Sequence, residues 1–178
     1  VDTFSDSEET SLFDPAYQIN LLSEREDRLM RSLARRLRPA RKMDVDEAAK
    51  VVDRAQDHLL AVGWAHVDRI IFEAFVEAES KLDSEEAQLV LEQVRLVYFL
   101  SCIVDNASWY LEQNLLTGTR TKAARAALND LVDSLGPWSQ TLVDAFGIPD
   151  HIADLKLMEG YEAMVPKYES DPAAGQVG

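Results

Sequence analysis

Apolar side chains recur along this chain at spacings of three and four, the period of an α-helix with one face in a core. The first helix is expected at Asp14-Pro15, where Asp14 can cap it and Pro15 can take its first position, at which a missing N–H costs nothing. A short helix through Leu22 follows. Ser23 and Glu26 then form a Ser-x-x-Glu capping box, and Leu29, Met30, Leu33 and Leu37 behind it predict a second helical stretch to about Arg38, ended by Pro39. The longest pattern opens at Asp44 or Asp46 and runs to Ser80. Its apolar stripe is Ala48, Val52, Ala55, Leu59, Val62, Val67, Ile70, Phe75 and Val76, with Gly63 as a point for a kink or a close helix crossing.

Ser84 is placed to cap the next helix, in which Leu89 to Leu111 carries apolar groups on nearly every face, as a central helix does. Thr117-Gly118-Thr119 breaks that pattern. Ala123, Ala127, Leu128, Leu131, Val132 and Leu135 mark a further amphipathic helix, and Gly136-Pro137 restarts a short one through Trp138, Leu142, Val143 and Phe146. Gly147-Ile148-Pro149-Asp150 stops it and allows one more turn near His151 to Leu155. The order predicts an all-α fold, a bundle of about four main helices with short connections. It also predicts a flexible lead over residues 1–13, a helical domain over 14–156 and a poorly ordered tail over 157–178.

Composition sharpens this picture. The 178 residues are 47% apolar, enough for one domain with a real core. The net charge of -14 repels polyanions and argues against nucleic acid as a partner. Cys102 is the single cysteine, which rules out an internal disulfide, and its neighbours Leu100, Ile103 and Val104 mark it as a small buried hydrophobe. No apolar run reaches the ~20 residues of a membrane-spanning helix, and the acidic N-terminus lacks the basic and apolar segments of a signal peptide. A soluble, cytoplasmic protein is expected. The C-terminal Gln176-Val177-Gly178 does not match a Ser-Lys-Leu address, and Val1 in place of Met implies either trimming or excision from a longer chain.

Candidate chemistry is sparse. Bundles hold di-metal sites through Glu-x-x-His pairs, but three residues before His58, His66 and His151 stand Ala55, Gly63 and Ile148. His58 and His66 lie two helical turns apart and could share a face as a ligand or acid/base pair; the plainer reading makes each a helix residue beside an acid, Asp57 or Asp68. Neither a Gly-rich phosphate loop nor a Gly-x-Ser-x-Gly elbow occurs. No catalytic, cofactor-binding or metal residue is assigned.

The one charge anomaly is basic. Arg25, Arg28, Arg31, Arg35, Arg36, Arg38, Arg41 and Lys42 crowd one stretch, and Arg28, Arg31, Arg35, Arg38 and Lys42 repeat at helical spacing as one cationic face. Such a face can dock phosphate groups or an acidic partner, since Arg suits planar, bidentate recognition. It can equally be a solvated face paired with Glu24, Glu26 and Asp27.

Three stretches carry a family resemblance: Arg31-Ser32-Leu33-Ala34-Arg35-Arg36-Leu37, Gln56-Asp57-His58-Leu59-Leu60, and Leu142-Val143-Asp144-Ala145-Phe146-Gly147-Ile148-Pro149-Asp150. In order and spacing across roughly residues 14 to 152, the chain resembles the C-terminal helical domain of acyl-CoA oxidases. The resemblance implies preceding domains that bind FAD and an acyl-CoA thioester. There the flavin accepts a hydride as the Cα–Cβ bond is desaturated, and O2 reoxidises it. The family's catalytic glutamate and most flavin contacts lie in those domains, so the resemblance carries no catalytic residue to this chain. Leu157-Met158-Glu159-Gly160-Tyr161-Glu162 departs from the tail of eukaryotic members, which makes the chain look more like a bacterial one.

The leading expectation is therefore a C-terminal domain or detached small subunit of an FAD-dependent acyl-CoA oxidase or dehydrogenase. It would pack on flavin-bearing domains, support a dimer, and expose apolar surface when isolated. The alternatives are a stand-alone helical interaction module that docks an acidic protein on the Arg28 to Lys42 face, and an independent hydrolase or metal enzyme.

Overall fold

The computed structural model describes residues 12–148, which are helical and contain no strand among the described residues. They fall into two compact units, one ending at Pro137 and one starting at Trp138. The expected turn near His151 and the tail from residue 157 lie outside the described residues.

Helix α1 spans Pro15–Leu37, with the Asp14 carboxylate accepting from Ala16 N at 2.9 Å and Pro15 at its first position. It is one continuous helix, which corrects the expected restart at Ser23. Tyr17, Leu21, Arg25, Leu29 and Leu33 follow one another at intervals of four on its buried face, so nothing interrupts the stripe that holds it straight. Glu26, the supposed reciprocal cap, bonds instead to residues of another helix. Pro39 then forces a 3-10 turn, Arg38–Lys42.

Asp44 caps α2 (Val45–Arg54), accepting from Glu47 N at 2.9 Å. The long pattern does not run on unbroken from there. Ala55 leaves the helical region at φ -99° and ψ 2°, and α3 begins afresh at Gln56–Glu79. Tertiary packing makes this break: Ala55 enters the core beside Leu29, Leu33, Val62 and Ala65 while α2 turns onto the end of α1. Gly63, the expected kink or crossing point, has open space around it.

Ser84 caps α4 (Glu85–Asp105) through a 3.3 Å bond from Ala87 N. The helix expected to continue to Leu111 breaks at Asn106, and α5 (Ala107–Glu112) follows. Asn114 adopts φ 54°, a left-handed conformation that Asn tolerates, and lets Leu115 N return to Tyr110 O at 3.0 Å. Thr117 caps α6 (Gly118–Leu135). In the second unit α7 (Ser139–Asp144) ends where Gly147, at φ 58°, donates to Asp144 O.

The four long helices α1, α3, α4 and α6 form the expected all-α bundle: α1 packs on α3, α3 on α4, and α4 on α6. The main core joins Tyr17, Leu21 and Leu22 to Phe72, Phe99, Leu100, Ile103, Tyr110 and Leu115, and includes Leu12 ahead of α1. Phe72 meets Phe99 edge-on at 6.0 Å. Trp109 packs against this core and against the smaller one around Leu29 and Val62. Although no membrane-length apolar run was expected, α4 is long and apolar enough to cross a membrane. Its packing between α3 and α6, with Arg95 buried at mid-helix, is that of a core helix.

Asp14→Ala should therefore cost about 1 kcal/mol of stability as a lost cap, and Ser23→Ala less than about 0.5 kcal/mol. Urea unfolding of both variants checks this; equal losses would contradict a continuous α1.

Candidate functional site

Two buried arginines organise the helix contacts. Arg25 of α1 donates from Nη1 to Asp68 Oδ2 of α3 at 3.0 Å and from Nη2 to Asn106 Oδ1 at 2.7 Å, with its guanidinium 5.9 Å from the Trp109 ring centroid. Tyr98 of α4 donates to the other oxygen of Asp68 at 3.2 Å. Arg95 of α4 donates from Nε to Glu79 at 2.6 Å and from Nη1 to Gln18 Oε1 at 2.5 Å, over the Phe72 ring. Gln18 in turn donates to Leu12 O at 2.7 Å. Each cation thus joins α1, α3 and α4 at a different level. Arg25 was grouped by sequence with the surface cations, and the structure moves it into the core. The signal was its place four residues from both Leu21 and Leu29.

Glu26 makes a third link. Its carboxylate accepts from Arg69 Nε at 2.5 Å and lies 2.9 Å from His66 Nδ1. Burial raises its pKa, but the bonds from Arg69 and His66 outweigh this and hold it below the ordinary 4.5. His66 is thereby bound to α1, while His58 lines a separate groove, about 12 Å further along α3 at helical rise. The structure does not bring the two histidines to one site. Cys102 is buried and its thiol is pushed up to about 12 by desolvation first and by Asp68 second, so it stays protonated as an inert core group. Among the described residues no three His, Cys, Asp or Glu side chains converge in a way that could hold a metal.

The groove containing His58 has a volume of about 760 Å³. Its walls include Arg28, Arg31, Arg35 and Arg36 from α1, Asp57 and His58 from α3, and Trp109 and Glu112 from α5. Of the five cations read as one face, three line this groove. Arg38 and Lys42 do not, because Pro39 has already rewound the chain into the tighter 3-10 turn.

The apolar stripe assigned to the core along α2 and α3 is corrected in part. Ala55 and Val62 are buried, but Val52, Leu59, Val67, Ile70 and Val76 are exposed. The buried face of α3 runs instead through Val62, Ala65 and Phe72. On another face Leu60, Trp64, Val67 and Ile71 recur at spacings of four, three and four, with Trp64 65% exposed. Sequence periodicity missed this because α3 is apolar on more than one face.

The profile of the acyl-CoA oxidase family matches residues 14–154, a span that takes in the seven α-helices of the described residues. The chain belongs to the acyl-CoA oxidase family. It is 34% identical to peroxisomal acyl-coenzyme A oxidase 2 of Rattus norvegicus over 70% of this chain and 18% of the relative. It is 27% identical to the peroxisomal acyl-coenzyme A oxidase 2 of Arabidopsis thaliana over 81% of this chain and 20% of the relative. The chain therefore spans about a fifth of the length of these relatives.

Because the folded-state pKa of Glu26 is depressed, its contribution to stability is present above about 4.5 and is lost as pH falls through the folded value. Glu26→Gln should thus be less stable than the parent at pH 7, with the gap narrowing by pH 3. Urea titrations at both pH values test this; an unchanged gap would remove Glu26 as a charged link.

Proposed function

We propose that this chain is the C-terminal helical domain, or a separate small subunit, of an FAD-dependent acyl-CoA oxidase or dehydrogenase of fatty-acid β-oxidation, and that its task is assembly. The observation that carries this reading is the outward face of α3. Leu60, Trp64, Val67 and Ile71 place a Trp-centred apolar row in water, and exposed apolar side chains gathered on one helix face in this way suit a contact site. The family match supports this reading, in which the surface covered would be that of flavin-bearing domains.

The fit of the described residues to a resident flavin is poor. The groove around His58 is open rather than an enclosed slot, and the unbonded hydroxyl of buried Tyr110 is sealed in the core, where no cofactor could reach it. No flavin contact or reaction step is assigned to this chain. Oxidation of the acyl-CoA would occur on the partner domains, with this bundle burying part of their surface and supporting a dimer of the whole.

Isolated from its partners, the chain should self-associate or bind an environment-sensitive dye. The double variant Trp64→Glu/Val67→Glu should abolish both while keeping the helical content, because both side chains are exposed. A parent chain that stays monomeric and binds no dye would sink this assignment of the α3 face.

A further inference from the structure

The groove between α1, the start of α3 and α5 is not used by that reading, and it concentrates positive charge in a chain of net charge -14. We propose that it is a binding site for a compact, multiply charged phosphate group, such as a di- or triphosphate.

Two of its arginines are held in place by the protein. Arg28 donates from Nε to Glu24 at 2.6 Å and from Nη1 to Gln113 O at 2.9 Å, and Arg31 donates from Nε to Asp27 O at 3.2 Å. The side chains of Arg35, Arg36 and His58 make no hydrogen bond or ion pair among the described residues. Two free guanidiniums and one imidazole therefore face a groove whose other two cations are already oriented. Guanidinium forks match the oxygens of phosphate in pairs, and orientation before binding lowers the entropic cost of capture.

The distribution of charge selects the shape of the ligand. All four arginines come from α1, whereas α3 and α5 contribute the carboxylates of Asp57 and Glu112. An extended acidic peptide filling the groove would meet both carboxylates. A compact anion seated on the α1 wall avoids them, and Arg31 to Arg36 spans about 7.5 Å along the helix, within the reach of two or three linked phosphates. The half-buried indole of Trp109 on the same lining gives an optical reporter of occupancy.

The test is isothermal titration of the full chain with inorganic tripolyphosphate at physiological salt, with Trp109 fluorescence followed in a Trp64→Phe/Trp138→Phe background. Saturable one-to-one binding is expected, weakened at least about tenfold in Arg35→Gln/Arg36→Gln. Lys42→Glu, outside the groove, should change affinity by less than about threefold. Loss of vesicle binding in the double Gln variant, with a phosphoinositide present in the vesicles, would support the same site and give a lipid headgroup as the source. Capture of tripolyphosphate alone would support a soluble source. Absence of binding, or binding indifferent to Arg35 and Arg36, would overturn the proposal. Equal affinity for a charge-matched oligoglutamate would also overturn it, in favour of an acidic peptide.

Discussion

The structure depends on placing two guanidinium groups where charged side chains are seldom found. Arg25 and Arg95 are almost fully buried, and each is bonded by groups beyond its own helix: Asp68 and Asn106 for one, whose Nε is left without a partner, and Glu79 and Gln18 for the other. Desolvating such ions is costly, so the pairs add little net stability relative to a well-packed apolar core, while losing one partner costs about 3–5 kcal/mol. Their value is geometric. A buried cation accepts only an arrangement that brings its partners into reach, and here that arrangement fixes the register of α1, α3 and α4 at two levels.

That constraint explains what the rest of the bundle does. With α3 held from one side by Asp68, Arg69 and Glu79, and by Val62, Ala65 and Phe72 in the core, its remaining apolar residues have nowhere inside to go. Leu60, Trp64, Val67 and Ile71 face outward as a consequence. The helix joins an inner surface that folds the domain to an outer one that is proposed to assemble it. The break at Asn106 serves the same network, because it frees the Asn side chain to bond both Arg25 and the Cys102 carbonyl.

Much of the fold was legible in the residues because local chemistry announces helix starts. Asp14-Pro15 and Ser84 cap where the sequence placed them, Asp44 is one of the two caps it offered for α2, Thr117 caps at the anticipated break, and Cys102 is the small core residue its neighbours implied. Breaks at Ala55 and Asn106 were not legible, since neither residue forces one; packing across the bundle does. The continuity of α1 was obscured by a local capping pattern at Ser23 that a longer buried stripe overrides. The candidate groove was half visible. Spacing found Arg28, Arg31 and Arg35, but it carried the face on to Arg38 and, past Pro39, to Lys42, and could not see Arg36, His58 and Trp109 arriving from three different helices.

The central claim is that the outer face of α3 is an interface to flavin-bearing domains. The most direct measurement is to purify the native particle that carries this sequence from its source cells, through an antibody to the chain, and record its size and visible absorbance. The account predicts a particle several times heavier than 20.0 kDa that is yellow with bound flavin, in which Trp64 is shielded from a soluble quencher. A colourless 20.0 kDa species with Trp64 open to the quencher would contradict it.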